Sequence, residues 1–387
     1  MDKLEEILGK LSKNNGFSLN IQLVNEIINQ GIEENASDIH IEPYKDLGKV
    51  KFRIDGDIIF KYNIPMFFYS FLVSRIKVIC RMDIGEKRIP QDGKGEYRSG
   101  NCFYDLRCVT LPSVFGEKIV IRILKREDKI ESLGDLGFSE EEDIKRILNY
   151  SNGLILVTGS TGSGKSTTLH SMINEIKGNN LSIVTLEDPV EYQVEDITQI
   201  NMNAKIGLNF PSMLRSILRG DPDVIMVGEI RDHETAMITA RAAITGHKVM
   251  STLHTNSAAS SIWRLKDMGV EPYIIASCLS LVISQKLVKK ICPYCKKPHR
   301  ISAEEKEVLG KDIMLYKGAG CDFCSNTGYK GRTAVYELLI ADEDVKDKIK
   351  KEEKIEITNG IKENALKLLV SGVTSFEEYI KILYSGD

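Results

Sequence analysis

The chain has 387 residues and a formal net charge of −3, with 42% hydrophobic and 28% charged residues. This length allows two or three domains, each with its own core, and the charge balance gives no indication of a nucleic-acid or anionic-lipid ligand. No apolar run approaches the ~18 residues that a membrane span requires, so we expect a cytoplasmic protein that reaches any membrane through partners.

The N-terminal segment MDKLEEILGKLSKNNG carries acidic side chains early and lacks the apolar core of an export signal. We expect an exposed amphipathic helix or tail over residues 1–20. Because no export signal is present, disulfide bonds are not expected among the cysteines.

Residues 21–125 show the pattern of a small α+β domain with a mostly antiparallel sheet. A helix is predicted over Ile21–Glu34, and apolar–polar alternation predicts strands in SDIHIEP, KVKFRIDGDIIFKY, YDLRCVTLP and KIVIRIL. Within the second of these segments, Asp55 and Gly56 supply the residues of a hairpin turn.

The first predicted strand places Asp38, His40 and Glu42 on one face, because side chains alternate along a strand. Metal ligands are spaced in this way in some proteins. A polar strand face or a contact between domains is the favoured interpretation.

Beyond a charged, glycine-punctuated stretch at 126–137, which we predict to be a linker, the pattern changes. From Phe138 onward the short apolar runs LILVTGS, SIVTLED, DVIMVGE and HKVMSTLH alternate with longer stretches that are compatible with helices. This alternation predicts a parallel sheet with helices on both faces, and therefore an α/β domain over 138–387. The charged, amphipathic residues 341–387 predict a helical C-terminal region.

A phosphate-binding loop follows the first of these strands. The sequence GSTGSGKS at 159–166 satisfies the pattern GxxxxGK[ST], with a strand before it and a helix after it. Its glycines let successive backbone N–H groups face one point, and the helix N-terminus adds to the attraction for phosphate. Lys165 then neutralises the β- and γ-phosphates of ATP, and Ser166 binds Mg²⁺. The predicted nucleotide-binding residues are consecutive: Gly159, Ser160, Thr161, Gly162, Ser163, Gly164, Lys165, Ser166 and Thr167.

Two strands downstream of the loop end in carboxylates. TLEDPVEY ends its strand at Glu187 and Asp188, and DVIMVGE ends at Glu229, where Gly228-Glu229 stands in place of the usual aspartate. A phosphate-binding loop needs such a carboxylate to position Mg²⁺ or water. The sequence does not decide which carboxylate is the magnesium ligand and which is the base. We favour Glu229 for binding magnesium and water, and Glu187 for polarising the attacking water.

Four of the eight cysteines form two CxxC pairs within residues 292–324, Cys292 with Cys295 and Cys321 with Cys324. Four thiolates in this arrangement predict a closed, structural Zn²⁺ site. A redox pair is the weaker alternative, because a catalytic CxxC normally occurs once. We expect His299 to be a bystander, and the four other cysteines to be small core residues.

Several segments together resemble a known family. ASDIHIEP, FRIDG, LPSVFGEKIVIRIL, the phosphate loop, TLEDPVEY, LRGDPDVIMVGEIRDHETA, TGHKVMSTLHTNSA, DMGVEPY and the CxxC pairs with NTGYKGR occur in order. They resemble the secretion ATPases of type II secretion, type IV pilus assembly and related DNA-uptake pseudopili, over residues ~20 to 387. The resemblance implies a PAS-like domain joined to a RecA-like motor domain. It also implies a homo-hexamer that acts at the cytoplasmic face of a membrane platform protein and adds pilin-like subunits.

The resemblance also implies roles for individual residues. Glu187 matches the aspartate box, Glu229 the atypical Walker B motif, and His247 and His254 the histidine box. Basic residues expected near the nucleotide form two groups: Arg107 and Arg122 in the N-terminal domain, and Arg215, Arg219 and Arg231 near the motor site or a subunit interface. An arginine finger contributes about 10³–10⁵ in rate in other phosphate-loop enzymes.

Two features depart from the family pattern. Only ~20 residues precede the PAS-like domain, where relatives usually carry an additional docking domain, so the usual docking mode is in doubt. In Gln285-Lys286-Leu287 the family more often has arginine in the middle; lysine keeps the charge but loses bidentate geometry.

Two other functions compete with that of a pilus or pseudopilus assembly motor. A RecA-like motor acting directly on DNA or RNA needs a basic, aromatic-lined pore, which the net charge and single tryptophan disfavour. A non-hydrolysing, ATP-gated scaffold is disfavoured by the intact Lys165, Ser166, Glu187 and Glu229.

Overall fold

The computed structural model describes residues 17–125, 131–178, 180–191, 193–203, 206–310 and 312–384. The chain divides into two compact units, residues 1–127 and 128–387, and each unit has its own hydrophobic core. Most of the predicted N-terminal helix over 1–20, and residues 126–130 of the predicted linker, lie outside the described ranges. Among the helices within these ranges, none has both the length and the apolarity needed to cross a bilayer.

The N-terminal unit is a six-stranded antiparallel sheet with helices packed on one face. Its strand order is β3-β2-β1-β6-β5-β4. The elements in chain order are α1 (Phe17–Glu33), β1 (Asp38–Pro43), β2 (Leu47–Ile54), β3 (Asp57–Pro65), α2 (Met66–Ile79), β4 (Gln91–Ser99), β5 (Cys102–Ser113) and β6 (Gly116–Lys125). The predicted helix, the antiparallel strands and the turn at Asp55-Gly56 are confirmed.

Two elements of this unit had no sequence prediction. Helix α2 has the sequence MFFYSFLVSRIKVI, in which aromatic and β-branched residues carry little helix signal of their own. Strand β4 is a polar edge strand that lacks apolar alternation. It approaches α2 so closely that a Cβ at Gly95 would lie 2.3 Å from the carbonyl oxygen of Ile79, which explains a glycine inside a strand.

The polar face of β1 is occupied by ion pairs. Asp38 accepts a hydrogen bond from Nε of Arg122 at 3.0 Å, and Glu42 binds Nζ of Lys51 at 2.6 Å and Nζ of Lys118 at 2.9 Å. These carboxylates are neutralised by basic side chains of the neighbouring strands. The interpretation of a polar strand face, rather than a metal site, therefore fits the structure.

The C-terminal unit is built on a seven-stranded sheet with the order β15-β12-β7-β11-β10-β8-β9. All neighbouring strands run parallel except the edge strand β15, which is antiparallel to β12. The sheet strands are β7 (Gly153–Thr158), β8 (Ile183–Glu187), β9 (Thr198–Asn201), β10 (Val224–Val227), β11 (Lys248–Leu253), β12 (Leu279–Ile291) and β15 (Tyr329–Ile340). The mainly parallel arrangement confirms the α/β prediction.

Helices cover both faces of this sheet. One face packs against α3 (Glu141–Tyr150) and α4 (Lys165–Ile176). The other face packs against four helices: α5 (Phe210–Ile217), α6 (His233–Ile244), α7 (Ala258–Asp267) and α8 (Pro272–Cys278). Because both faces are covered, the central strands are continuous apolar runs; β7, β10 and β11 are buried along their whole length.

A small lobe and a helical region complete the C-terminal unit. The lobe contains the hairpin of β13 (Lys296–Arg300) and β14 (Met314–Gly318), with α9 (Ala303–Leu309) between them. Three helices, α10 (Glu343–Lys351), α11 (Ile361–Val370) and α12 (Phe376–Tyr384), confirm the predicted helical C-terminal region.

Candidate functional site at the carboxyl edge of the seven-stranded sheet

The carboxyl ends of four neighbouring parallel strands meet at one edge of the seven-stranded sheet. Thr158 at the end of β7 pairs with Leu253 of β11. Val227 of β10 pairs with Ser251 of β11 and with Leu186 of β8. The phosphate loop, His254, Glu229 and Glu187 come at or directly after these ends. The topology thus gathers segments that are up to about 100 residues apart in the chain.

The phosphate loop has the backbone conformation that its glycines predict. Gly159, Gly162 and Gly164 have φ values of 146°, 80° and 86°, which side-chain-bearing residues rarely adopt. Gly164 caps helix α4, which begins at Lys165. The first backbone N–H groups of that helix are therefore available for an anion.

Lys165 folds back onto its own loop. Its Nζ donates to the carbonyl oxygens of Gly159, at 2.9 Å, and of Ser160, at 3.0 Å. Burial lowers the pKa of Lys165, and the negative charge of Glu229 partly opposes this shift.

Glu229 lies at the centre of a small charged cluster. One carboxylate oxygen binds Nη2 of Arg231 at 2.8 Å, and the other is 3.1 Å from Nε2 of His254. The side chain is 19% exposed, so a water molecule or metal ion can reach it. The cluster brings together residues of two segments that the sequence keeps apart, Glu229 and Arg231 in one and His254 in the other.

Glu187 is more deeply held. It is 5% exposed, and its carboxylate binds Nε2 of His170 at 3.1 Å, Oγ1 of Thr185 at 2.7 Å and Nε2 of Gln199 at 3.1 Å. Burial raises the pKa of Glu187, but these hydrogen bonds, led by that of His170, outweigh it, and the net shift is downward. The carboxylate is therefore ionised and oriented.

Sequence reasoning missed His170. This residue is on the buried face of α4 and is 1% exposed, and its contact with Glu187 joins the helix after the phosphate loop to the end of β8. No motif contains it. Only the packing of α4 on the sheet, which requires the tertiary fold, brings it to the carboxylate.

The other basic residues predicted for the site lie in different places. Arg215 and Arg219 belong to α5 and the turn that follows it, where Arg215 pairs with Glu234 of α6 and Arg219 donates to the carbonyl oxygen of Arg215 at 2.8 Å. Arg107 and Arg122 are cross-strand neighbours in the N-terminal unit.

The two histidines of the histidine box are at opposite ends of β11. His254 follows its carboxyl end, whereas His247 precedes Lys248 at the amino end and its Nδ1 lies 2.9 Å from the carbonyl oxygen of Ala242. His247 therefore belongs to the edge of the sheet opposite the phosphate loop.

The four cysteines of the CxxC pairs form a closed cluster, with sulfur atoms within 4.8 Å of one another. The Sγ–Sγ distances are 3.8 Å for Cys292 and Cys321, 3.9 Å for Cys295 and Cys324, and 3.7 Å for Cys321 and Cys324. A tetrahedron with Zn–S bonds of about 2.3 Å has edges of about 3.8 Å. The donor set therefore fits a structural Zn²⁺ ion. Across the described part of the chain, no other group of three or more His, Cys, Asp or Glu ligand atoms is this compact.

Hydrogen bonds favour a thiolate at one cysteine of the cluster, Cys324. Backbone N–H groups of Cys321 and Gly328 donate to Sγ of Cys324 at 3.2 and 3.3 Å. Burial raises the pKa of Cys324, but these donors outweigh burial and lower the pKa to about 7. His299 instead lies 3.2 Å from the carboxylate of Glu305, which agrees with its prediction as a bystander.

Comparison with known proteins gives a consistent result. Residues 13–381 match the family described as Type II/IV secretion system protein. The chain is 42% identical over 376 residues to the type II secretion system protein E of Aeromonas hydrophila, covering 94% of this chain and 75% of that one. It is also 42% identical over 378 residues to the type IV pilus assembly ATPase PilB of Thermus thermophilus, covering 93% of this chain and 42% of that protein.

Solved structures agree in fold. The pilus retraction motor PilT with bound ADP superposes with a TM-score of 0.64 at 28% identity, covering 94% of this chain and 97% of that one. The ATPase DotB of Legionella pneumophila has a TM-score of 0.68 at 22% identity, with 93% and 95% covered, and supports the fold alone.

Proposed function

The chain belongs to the Type II/IV secretion system protein family, and from this premise we propose a magnesium-dependent motor ATPase that drives assembly of pilin-like subunits. Its relatives are secretion and pilus ATPases, which supports ATP as the substrate. The observation that carries the proposal is the contact of Glu229 with Arg231 and His254 at the same sheet edge as the phosphate loop.

The chemistry follows from this geometry. The loop backbone and the N-terminus of α4 hold the phosphates of ATP, and Lys165 exchanges its two loop carbonyls for phosphate oxygens. Ser166, exposed in the first turn of α4, and Glu229 are the residues that would hold Mg²⁺, and a bound ion would supply positive charge to the phosphates. Glu187 polarises the attacking water, and His254 and Arg231 fix the direction of the Glu229 carboxylate.

The wider assembly is part of the same proposal. We expect residues 21–125 to form a PAS-like domain and residues 138–387 a RecA-like motor, with residues 126–137 as the linker between them. Six copies form a ring at the cytoplasmic face of an inner-membrane platform protein. As the ring hydrolyses ATP, four arginines then approach the nucleotide or a subunit interface: Arg107, Arg122, Arg215 and Arg219. The support for this assembly is the family membership and the likeness to a pilus motor.

The test removes the phosphate-binding charge. Lys165 donates to two carbonyls of its own loop, so Lys165→Ala should fold normally and lose at least about 100-fold in ATP turnover. Phosphate release is measured with magnesium and with a chelator. Lys177→Ala, at the end of the same helix, is the matched control and should keep wild-type turnover. Equal turnover in wild type and Lys165→Ala would refute the site.

A further inference from the structure

A single polar side chain interrupts an apolar row beneath the phosphate loop. Along β12, Leu281, Ile283 and Leu287 face the core that contains α4, and Gln285 lies in the same row because alternate residues of a strand share a face. Gln285 is 1% exposed. A buried amide in such a row is costly unless all of its hydrogen bonds are made.

Both ends of the Gln285 amide bind the phosphate loop and its helix. Nε2 donates to the carbonyl oxygen of Ser163 at 2.7 Å, and Oε1 accepts from Oγ1 of Thr168 at 2.9 Å. The orientation of the amide follows, since the carbonyl of Ser163 can only accept. Gln285 thus connects the loop before α4 to the first turn of α4.

The loop also rests directly on the backbone of β12. A Cβ at Gly159 would lie 2.3 Å from the carbonyl oxygen of Gln285, and a Cβ at Gly164 would lie 3.2 Å from Nε2 of Gln285. The two glycines therefore have a packing requirement in addition to their conformational one. Gln285 contacts the loop at its beginning and at its end.

We propose that Gln285 is a positioning residue that holds the phosphate loop in its nucleotide-binding conformation. The peptide unit between Ser163 and Gly164 is planar and trans, so its C=O and N–H point in opposite directions. Holding the carbonyl of Ser163 towards β12 turns the N–H of Gly164 away from β12 and leaves it available to a phosphate oxygen. This inference rests on the proposed nucleotide site.

The experiment separates binding from turnover. Gln285→Leu keeps a similar volume but removes both hydrogen bonds, and it should raise the Kd for a fluorescent ADP analogue about 10- to 100-fold (1.4–2.8 kcal/mol). The KM for ATP should rise with it, while kcat at saturating ATP stays within about threefold, because Gln285 does not contact the carboxylates at the reacting end.

A second pair of variants protects the test against simple misfolding. Thr168→Val removes the bond at Oε1 alone, and Thr168→Ser keeps the hydroxyl group as the matched control. The Kd effects of Thr168→Val and Gln285→Leu should be less than additive in the double variant, because the two residues share one bond. Circular dichroism melting of each variant, with and without ADP, confirms that the chain is folded.

The outcomes are distinct. A wild-type Kd in Gln285→Leu, or additive effects in the double variant, would overturn the role of Gln285 while leaving the ATPase proposal intact. A loss confined to kcat would also overturn it. If wild-type protein binds no nucleotide, the proposed function fails first and the positioning role fails with it.

Discussion

Two regions each gather several reactive side chains, but the chain builds them in different ways. One is the carboxyl edge of the seven-stranded sheet, here called the nucleotide edge after its proposed ligand, and the other is the cysteine cluster. At the nucleotide edge, Lys165, Glu187, Glu229 and His254 come from four strand ends that only the sheet brings together. In the cysteine cluster, two short knuckles contribute two thiols each. The edge keeps a partly exposed carboxylate, Glu229, and a lysine that donates to carbonyls of its own loop. The cluster is closed on itself.

This difference shows which property each site requires. Metal binding supplies its own free energy, so the cysteine lobe needs little support from the core. The nucleotide edge must hold charged side chains of both signs in fixed positions before a ligand binds. The packing of the hydrophobic core must fix those positions. Variants at each site can test this contrast.

Removal of the metal should have the largest effect. Cys292→Ser should reduce the zinc content from one per chain to none and unfold the lobe around β13 and β14, because structural zinc contributes about 10 kcal/mol or more to a small lobe. Metal analysis and hydrogen exchange measure both effects. Cys102→Ser, at an exposed cysteine outside the cluster, should keep one zinc ion. A zinc-free wild-type protein with a folded lobe would contradict the assignment.

Glu229→Gln should lower kcat by at least about 100-fold, a loss typical for removing an aligned charge at the reacting centre. The amide preserves the shape but removes the negative charge that faces Lys165, Arg231 and His254. The matched control is Glu234→Gln, which removes an exposed carboxylate paired with Arg215. If both variants lost activity equally, the loss would come from the change in net charge and not from the contacts of Glu229.

The buried pair of His170 and Glu187 should make stability depend on pH. The folded-state pKa of Glu187 lies below its ordinary value of 4.5, so its ionised form stabilises the fold above about pH 4.5, and this contribution is lost as pH falls through the lower folded-state pKa. Denaturant unfolding should therefore show the largest difference between wild type and Glu187→Gln near pH 7, narrowing below pH 4.5. His170→Gln, which keeps a donor, should lose less stability than His170→Phe. A difference that grows on acidification would reverse the sign and contradict the argument.

The smallest effect is expected on the polar face of β1. Glu42→Gln should change the free energy of unfolding by no more than about 1 kcal/mol, because its pairs with Lys51 and Lys118 are partly exposed. Zinc content should stay unchanged in Glu42→Gln and in His40→Ala. A lower metal content in either variant would mean that this face also binds metal and would weaken the distinction between the two sites.

Sequence patterns predicted the local features of both sites and missed the long-range ones. The GxxxxGK[ST] spacing predicted the phosphate loop, and CxxC spacing predicted the cysteine cluster, because a few consecutive residues decide each. The contacts of His170 and Gln285 depend on which helix covers which face of the sheet, so no short segment encodes them. His254 joins Glu229 and His247 does not, because six strand residues separate the two histidines and place them at opposite sheet edges.

The pairing of β12 has a consequence for how the chain tolerates changes in length. The strand is in regular register with β15 from Leu281 to Lys289. The register becomes irregular between Lys289 and Ile291, just before Cys292, the first cysteine of the cluster. A one-residue deletion between Leu281 and Ser284 would exchange the faces of the residues that follow, placing Lys286 under Ser163 and turning Gln285 to the opposite side. Insertions beyond Ile291 leave that register untouched. The cysteine lobe of this chain can therefore change in length without moving Gln285 from beneath the phosphate loop.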